Sequence, residues 1–375
     1  MILMNTRYLS QALRDMSFPA FVLLAALAVT GANQFPGEAV GGQTARLPDD
    51  RDGEAAGGAI EGTRLGIDRE RFTLNGQPAF LLGISYYGGL GAGIETLRKD
   101  LDALKSHGFN WIRLWATWSY AGHDVSAVDV QGRPREPYMS RLKTLVAECD
   151  RRGMVVDVTL SRGRAAIGGG IPDLQAHRTA VQSIIAALGE RANWYLDLAN
   201  ERDVRDARFV STQEVRELRD LARRLAPGLA VTASFGGHDL GEAYVREALI
   251  EARLDFVAPH RPRAAGTAAQ TLLHTQTCLD AMRQMGRLAP VHYQEPFRRG
   301  YGHWEPVAAD YLTDLRGAVE GGAAGWCLHN GSRRDEKNDR PRRSFDLREQ
   351  SLFEQLDDEE MVVVRQANDI VRRPR

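Results

Sequence analysis

The sequence predicts an α/β fold, a (β/α)8 barrel (TIM barrel) with a short N-terminal β-hairpin. Three observations predict it. Short apolar segments alternate eight times with amphipathic ones, the repeat is about 30 residues long, and an Asn-Gly turn precedes the first repeat.

The hairpin comes first. Phe72-Thr73-Leu74 and Pro78-Ala79-Phe80 flank Asn75-Gly76, a pair that accepts the left-handed backbone of a tight two-residue turn. A hairpin there is placed to close the bottom of a barrel. The predicted strands are Phe80–Tyr87, Phe109–Ala116, Met154–Arg162, Trp194–Glu201, Ala230–Gly237, Asp255–Arg263, Val291–Pro296 and Ala323–Asn330. Between them the apolar period changes from continuous runs to the i, i+3, i+4 spacing of helices, as at Leu97, Leu101 and Leu104. The predicted helices are Ile94–His107, Arg141–Arg152, His177–Arg191, Thr212–Leu225, Ala243–Ala252, Ala269–Met285 and Val307–Gly321, with a last one over Leu352–Val371. A doubly wound open sheet is the alternative. It normally carries a GxGxxG phosphate loop after its first strand, and Gly88-Gly89-Leu90-Gly91-Ala92-Gly93 fits that pattern poorly.

Of the 375 residues, 43% are hydrophobic and 26% charged, enough apolar side chains for a full core. The net charge of −1 provides no field to draw the chain to nucleic acid or to an anionic membrane. The basic residues are almost all arginine, which reads as a coding bias rather than a phosphate-binding surface. Cys149, Cys278 and Cys327 show no CxxC spacing and read as buried thiols, with one disulfide left open if the chain is exported. Arg7 and Arg14 precede the apolar run Phe18 to Val29, followed by the small residues Thr30-Gly31-Ala32, the order of a secretory signal. The run is shorter than the about 20 residues of a membrane span, so residues 1–32 are expected to be a signal peptide, with an uncleaved anchor as the alternative. That places the protein outside the cytoplasm, periplasmic or secreted. Residues 33–63, rich in Gly, Ala, Asp, Glu and Pro without periodicity, read as a tether, and the folded domain as 64–375.

In a barrel of this kind the active site forms at the C-terminal ends of the strands. The second strand carries Arg113 and Trp115 there, and the fourth ends in Asn200-Glu201. The sixth ends in His260-Arg261, the seventh in Gln294-Glu295, and the eighth carries Trp326 and His329. Two glutamates therefore project from opposite sides of the mouth. Breaking a glycosidic bond needs two carboxyl groups: one protonated to donate to the leaving oxygen, one ionised to attack the anomeric carbon or activate water. The charge of Glu295 and burial are expected to keep Glu201 protonated, and Arg113 to keep Glu295 ionised.

With these residues the chain resembles the retaining glycoside hydrolases of clan A, and most of all glycoside hydrolase family 5, the cellulase-like proteins, over about residues 64 to 372. The resemblance implies Glu201 as acid/base, Asn200 as the residue that binds the sugar 2-hydroxyl, Glu295 as nucleophile, Arg113 as its ion-pair partner and Trp326 as a sugar platform. It implies a carbohydrate substrate, β-linked, and no cofactor. Two departures stand out. Thr159-Leu160-Ser161-Arg162 lacks the histidine such members carry after the third strand, and His260-Arg261-Pro262 stands where His-x-Tyr is usual, so the tyrosine that contacts the nucleophile is absent. Arg261 and Arg263 either face the site in its place or lie on the surface.

Beside these, His260 and His329 are expected in substrate binding, with structural histidines as the plainer reading. Trp115, Trp118, Tyr86, Tyr87 and Trp304 follow strands one, two and seven, where flat aromatic walls suit the apolar faces of sugars; rim packing is the plainer alternative. Gly168-Gly169-Gly170 reads as a plain loop or a lid. The histidines lack HxH and HExxH spacing, so no catalytic metal is expected. A sugar-binding barrel without catalysis is the rival function, and a barrel hydrolase of other chemistry the third. The particular sugar, internal or terminal cutting, and the oligomeric state are not set by any motif.

Overall fold

The computed structural model describes residues 62–120, 122–160, 170–204, 208–300, 303–331 and 345–372, all within the unit Gly58–Arg375. The expected signal segment 1–32, almost all of the expected tether, and most of the Arg162–Gly170 loop lie outside these residues. Thr63, at the end of that tether, is bonded to the barrel: its backbone N–H donates to Asp150 Oδ1 at 2.6 Å and its hydroxyl to the Asp150 carbonyl at 3.0 Å. No helix among the described residues is long and apolar enough to cross a membrane.

Asn75 and Gly76 adopt φ of 51° and 77°, as their turn requires, and join Arg71–Leu74 to Gln77–Ala79. Leu65–Asp68 adds a third antiparallel strand that the sequence did not announce, because its alternation spans only four residues. Leu65 and Phe72 from this sheet sink into the barrel interior against Trp111, Tyr195 and Phe256, with the Phe72 and Phe256 rings 5.1 Å apart. The hairpin thus plugs the N-terminal end of the barrel, opposite the site.

Seven parallel segments pair in the order Ala230–Thr232, Trp194–Asp197, Val155–Thr159, Trp111–Trp115, Leu81–Ser85, Gly325–Leu328, His292–Tyr293. Ser234–Phe235 continues the fifth strand beyond Ala233 and pairs with the sixth, Ala258–Pro259. A bridge from Val257 to Val291 joins the sixth to the seventh and closes the ring. All eight expected strands are present, shorter than their apolar runs, because the ends turn into loops once the barrel twist separates neighbouring backbones.

The helices Ile94–Ser106, Tyr138–Asp150, Leu174–Leu188, Thr212–Leu225, Thr271–Gln284 and Ala308–Gly321 form the outer layer. Thr212–Leu225 begins with Ser211 accepting from the Glu214 N–H while Glu214 accepts from the Ser211 N–H, which satisfies two otherwise orphaned donors. Glu242–Arg246 passes into a π-turn over Glu247–Glu251, and the expected last helix is split into Leu352–Gln355 and Asp358–Arg372. Cys149, Cys278 and Cys327 are buried and free.

The barrel interior is filled in layers. Cys327, Gly83, Trp111 and Val155 stand in register across four strands. A Cβ on Gly83 would lie 1.8 Å from the Trp111 ring, so glycine is what lets the indole fill the barrel there. One step toward the mouth, Ser85, Arg113, Asp157 and Tyr195 form the next row. Interior chemistry therefore changes from apolar to ionic between these two layers.

Candidate active site

Arg113 is the centre of the ionic layer. It is fully buried, and its guanidinium meets three carboxylates and one amide. Nε donates to Asp157 Oδ2 at 3.2 Å, Nη2 to Asp197 Oδ2 at 3.2 Å and to Asn200 Oδ1 at 2.9 Å, and Nη1 to Glu295 Oε1. Burial opposes its charge, but Glu295, Asp157 and Asp197 outweigh burial and hold the guanidinium protonated. Burial raises the Asp157 carboxyl, Arg113 works against the rise, and Asp197 adds to it. Asp157 also accepts from Gln294 Nε2 at 2.7 Å, Tyr195 Oη at 3.0 Å and Thr159 Oγ1 at 2.8 Å. A buried arginine needs such a cage, since an unmatched guanidinium in the interior costs several kcal/mol.

Glu201 follows Asn200 with a left-handed φ of 49°, a strained conformation for a side chain of this size. Its N–H donates to Ser234 Oγ at 3.0 Å. Gly236 passes so close that a Cβ there would lie 3.1 Å from the Glu201 Cβ. The strain turns the carboxyl across the mouth toward Glu295. The nearest donor atoms of Glu201, His260 and Glu295 all lie within 4.8 Å of one another.

His260 Nδ1 stands between the two carboxyls, 3.3 Å from Glu201 Oε1 and 3.5 Å from Glu295 Oε2. Arg263 Nη2 also spans them, 2.9 Å from Glu295 Oε2 and 3.5 Å from Glu201 Oε1. Three donor groups of this spacing have the dimensions of a metal site. The Arg263 charge lies against two of the three, which disfavours a divalent cation among them.

His329 completes the ring around Glu295. Its Nε2 is 3.5 Å from Glu295 Oε2, and its Nδ1 is 2.9 Å from Tyr87 Oη and 3.2 Å from Ser85 Oγ. Burial, with Arg298, Arg263 and His260 in support and Glu295 opposing, pushes the imidazole well below its usual value, so it is neutral. Burial and then Glu295 raise Tyr87, so it keeps its proton beside Nδ1. Arg298 Nη1 donates to the same Tyr87 oxygen at 3.3 Å.

Burial works against the charge of Glu295, and His260, His329, Arg113 and Arg263 overcome it, holding the carboxyl far below the ordinary glutamate range. The guanidiniums of Arg113 and Arg263 supply fixed charges to this effect.

Of the residues expected at the site, Glu201, Glu295, Arg113, Asn200, His260 and His329 come together. Trp115 joins them, with the Arg113 guanidinium 5.7 Å from its ring. Asn200 is engaged by Arg113. Two expectations are corrected. Trp326 is fully buried and donates through Nε1 to Asp314 Oδ2 at 2.6 Å, on the helix Ala308–Gly321. Tyr86 donates through its hydroxyl to Asp100 Oδ2 at 2.9 Å, on Ile94–Ser106. Both therefore face the helix layer. Successive strand residues alternate sides, so with Ser85, Cys327 and His329 turned inward, Tyr86 and Trp326 must point out and Tyr87 in.

Tyr87, Trp115, Trp118 and Phe345 form a buried aromatic cluster beside the site. Tyr87 lies 4.9 Å from Trp118 and 5.0 Å from Phe345, and Trp115 lies 5.2 Å from Trp118. Trp304 packs on Phe297 instead. Arg261 faces the helices, bonding Asp239, Thr271 and Asp314, whereas Arg263 faces the site. Arg298 and Phe345 went unrecognised in the sequence. Arg298 follows Glu295 in the same loop, and that proximity was the available signal; nothing local marked Phe345.

No known family profile matches the chain, and no curated protein matches it in sequence. Solved structures match in fold. One described as a glycoside hydrolase aligns with a TM-score of 0.61 at 14% identity, over 82% of this chain and 74% of its own. The endo-β-1,4-mannanase of Thermotoga petrophila aligns at 0.53 and 13%, over 80% of this chain and 78% of its own. A Bacteroides vulgatus protein aligns at 0.57 and 15%, over 82% of this chain, and the chain spans only 61% of that protein's length. At these identities the likeness establishes the fold, a (β/α)8 barrel that glycoside hydrolases share.

Proposed function

We propose that the protein is a retaining glycoside hydrolase acting on β-linked saccharides by double displacement. The observation that carries this reading is the facing pair: Glu201 and Glu295, with carboxyl oxygens within 4.8 Å, one of them on a buried arginine. Retaining enzymes hold their two carboxyls about 5–5.5 Å apart and inverting ones about 6.5–9.5 Å, to leave room for water. The short gap supports direct attack.

In the first step a Glu295 oxygen bonds to the anomeric carbon, the glycosidic C–O bond breaks, and the Glu201 proton passes to the leaving oxygen. In the second, Glu201 takes a proton from water, the hydroxide oxygen bonds to the anomeric carbon, and the ester to Glu295 breaks, regenerating both groups. Arg113 keeps Glu295 ionised, and Trp115, beside the Arg113 guanidinium, brings an aromatic ring to the site. The fold shared with glycoside hydrolases adds support, and the signal-like order of residues 7–32 supports an exported enzyme.

A sugar-binding barrel without catalysis is the second reading, favoured by one contact. Arg263 lies 3.5 Å from Glu201, and a cation there favours the charged form of a group that must hold a proton. Hydrolysis of aryl β-glycosides and of β-glucan, mannan and xylan by the purified protein, beside Glu295→Gln, decides between them. Turnover that falls roughly 10^6-fold in the variant, the scale on which a lost nucleophile is felt, supports the hydrolase. Saccharide-dependent thermal stabilisation without turnover supports the binding barrel.

A further inference from the structure

Beyond Arg113, which Asp157 and Asp197 match from below, two more guanidiniums line the mouth around Glu295. Arg263 reaches in after the sixth strand and touches both glutamates. Arg298, only 7% exposed, reaches in after the seventh; it bonds Tyr87 and stacks 5.4 Å from the Phe345 ring centroid. A sugar ring that reacts must lie against the two glutamates, which Arg263 touches, while Arg298 holds Tyr87 on the other side of His329.

Arg263 poses a chemical problem for a neutral substrate. The scissile bond must enter between Glu201 and Glu295, where Nη2 now bridges the two carboxyls. A cation beside the acid opposes the protonation that leaving-group departure requires. A substrate that brings its own negative charge removes the difficulty. A planar carboxylate or a sulfate accepts two parallel N–H bonds from a guanidinium. Arg263 then turns from Glu201 to the substrate, which relieves the acid of the opposing charge.

We propose that the sugar residue attacked by Glu295 carries an anionic group, the carboxylate of a hexuronic acid or a sulfate ester, which Arg263 receives with Arg298 on the Tyr87 side of the ring. This rests on the glycosidase reading above. Two ring nitrogens, His260 Nε2 and Trp115 Nε1, are buried without a hydrogen-bond partner among the described residues. Pro262 stands at the position of the family's tyrosine, and Arg263, the next residue, brings a charge to Glu295.

The test compares kcat/KM of the full chain on 4-nitrophenyl β-glucuronide, β-galacturonide and 6-sulfated β-glucoside with the neutral β-glucoside, β-galactoside and β-mannoside. At least one anionic substrate should exceed its neutral counterpart by about 100-fold, the scale of a charge-assisted hydrogen bond. Uronide and sulfate arms separate the two sources of charge. Arg263→Gln should then reduce that anionic-to-neutral ratio by a similar factor. An equal loss on both substrate types would assign Arg263 to holding Glu295 alone and overturn the proposal. Glu295-dependent hydrolysis of neutral glycosides with no gain on charged ones would overturn it too, leaving the hydrolase reading intact. No turnover on any glycoside would remove the hydrolase reading itself.

Discussion

His329 Nε2 lies 3.5 Å from Glu295 Oε2, on a carboxylate that Arg113, Arg263 and His260 also surround. A neutral imidazole bonded to Tyr87 thus faces this carboxylate. The relay Arg298, Tyr87, His329, Glu295 joins the loops after strands one, seven and eight into one electrostatic unit.

Because Glu295 is held below the ordinary glutamate value of about 4.3, the acid limb of kcat/KM should lie below that pH. Removing one fixed charge with Arg263→Gln should move the limb upward. A pH–rate profile of both proteins checks this; coincident limbs would mean that Arg263 does not act on the nucleophile. For stability the sign is the same. The depressed carboxyl adds stability above the unfolded-state value, which is lost as pH falls toward the folded one.

Glu201→Gln should leave the first step dependent on the leaving group alone. Loss should reach about 10^2- to 10^4-fold on an alkyl glycoside, which needs protonation, and be far smaller on a 2,4-dinitrophenyl glycoside, which does not. Equal loss on both would argue against Glu201 as the acid.

Trp326→Phe should cost about 1–3 kcal/mol of stability, because the buried Asp314 oxygen loses its indole donor. It should leave KM unchanged, since the ring faces the helices. Trp115→Ala should raise KM. Urea unfolding and saturation kinetics on the two variants separate packing from substrate contact, and a raised KM for Trp326→Phe would restore it as a sugar platform.

His292 lies in the barrel interior against Trp111, with the rings 4.5 Å apart. Burial lowers it to about 3, the Gly325 backbone opposing and Arg113 assisting. The unfolded chain takes up this proton below about pH 6.5 and the folded chain does not. Stability from this group is therefore complete above that pH and lost as pH falls toward the folded value, at about 1.4 kcal/mol per unit. Urea unfolding from pH 7 to 5 should show a slope smaller by that amount in His292→Gln; unchanged slopes would mean that the imidazole titrates in the folded state.

The sequence by itself determined the barrel. Eight apolar runs between amphipathic segments and the Asn75-Gly76 turn are local signals, and strand pairing follows from their order. It also determined that Arg113, Asn200, Glu201, His260, Glu295 and His329 stand at strand ends, and the mouth is where strand ends meet. Only the tertiary structure decided which side each neighbouring residue faces. A barrel strand is apolar on both faces, one packed inside and one against helices, so alternation leaves no trace in the sequence. Tyr86 and Tyr87 are indistinguishable there, as are Trp326 as platform and Trp326 as core. The register Ser85, Arg113, Asp157, Tyr195 settles that parity, sending Tyr87 and His329 inward and Tyr86 and Trp326 out. The roles of Arg263, Arg298 and Phe345 likewise depend on contacts between loops far apart in the chain, which exist only once the ring is closed.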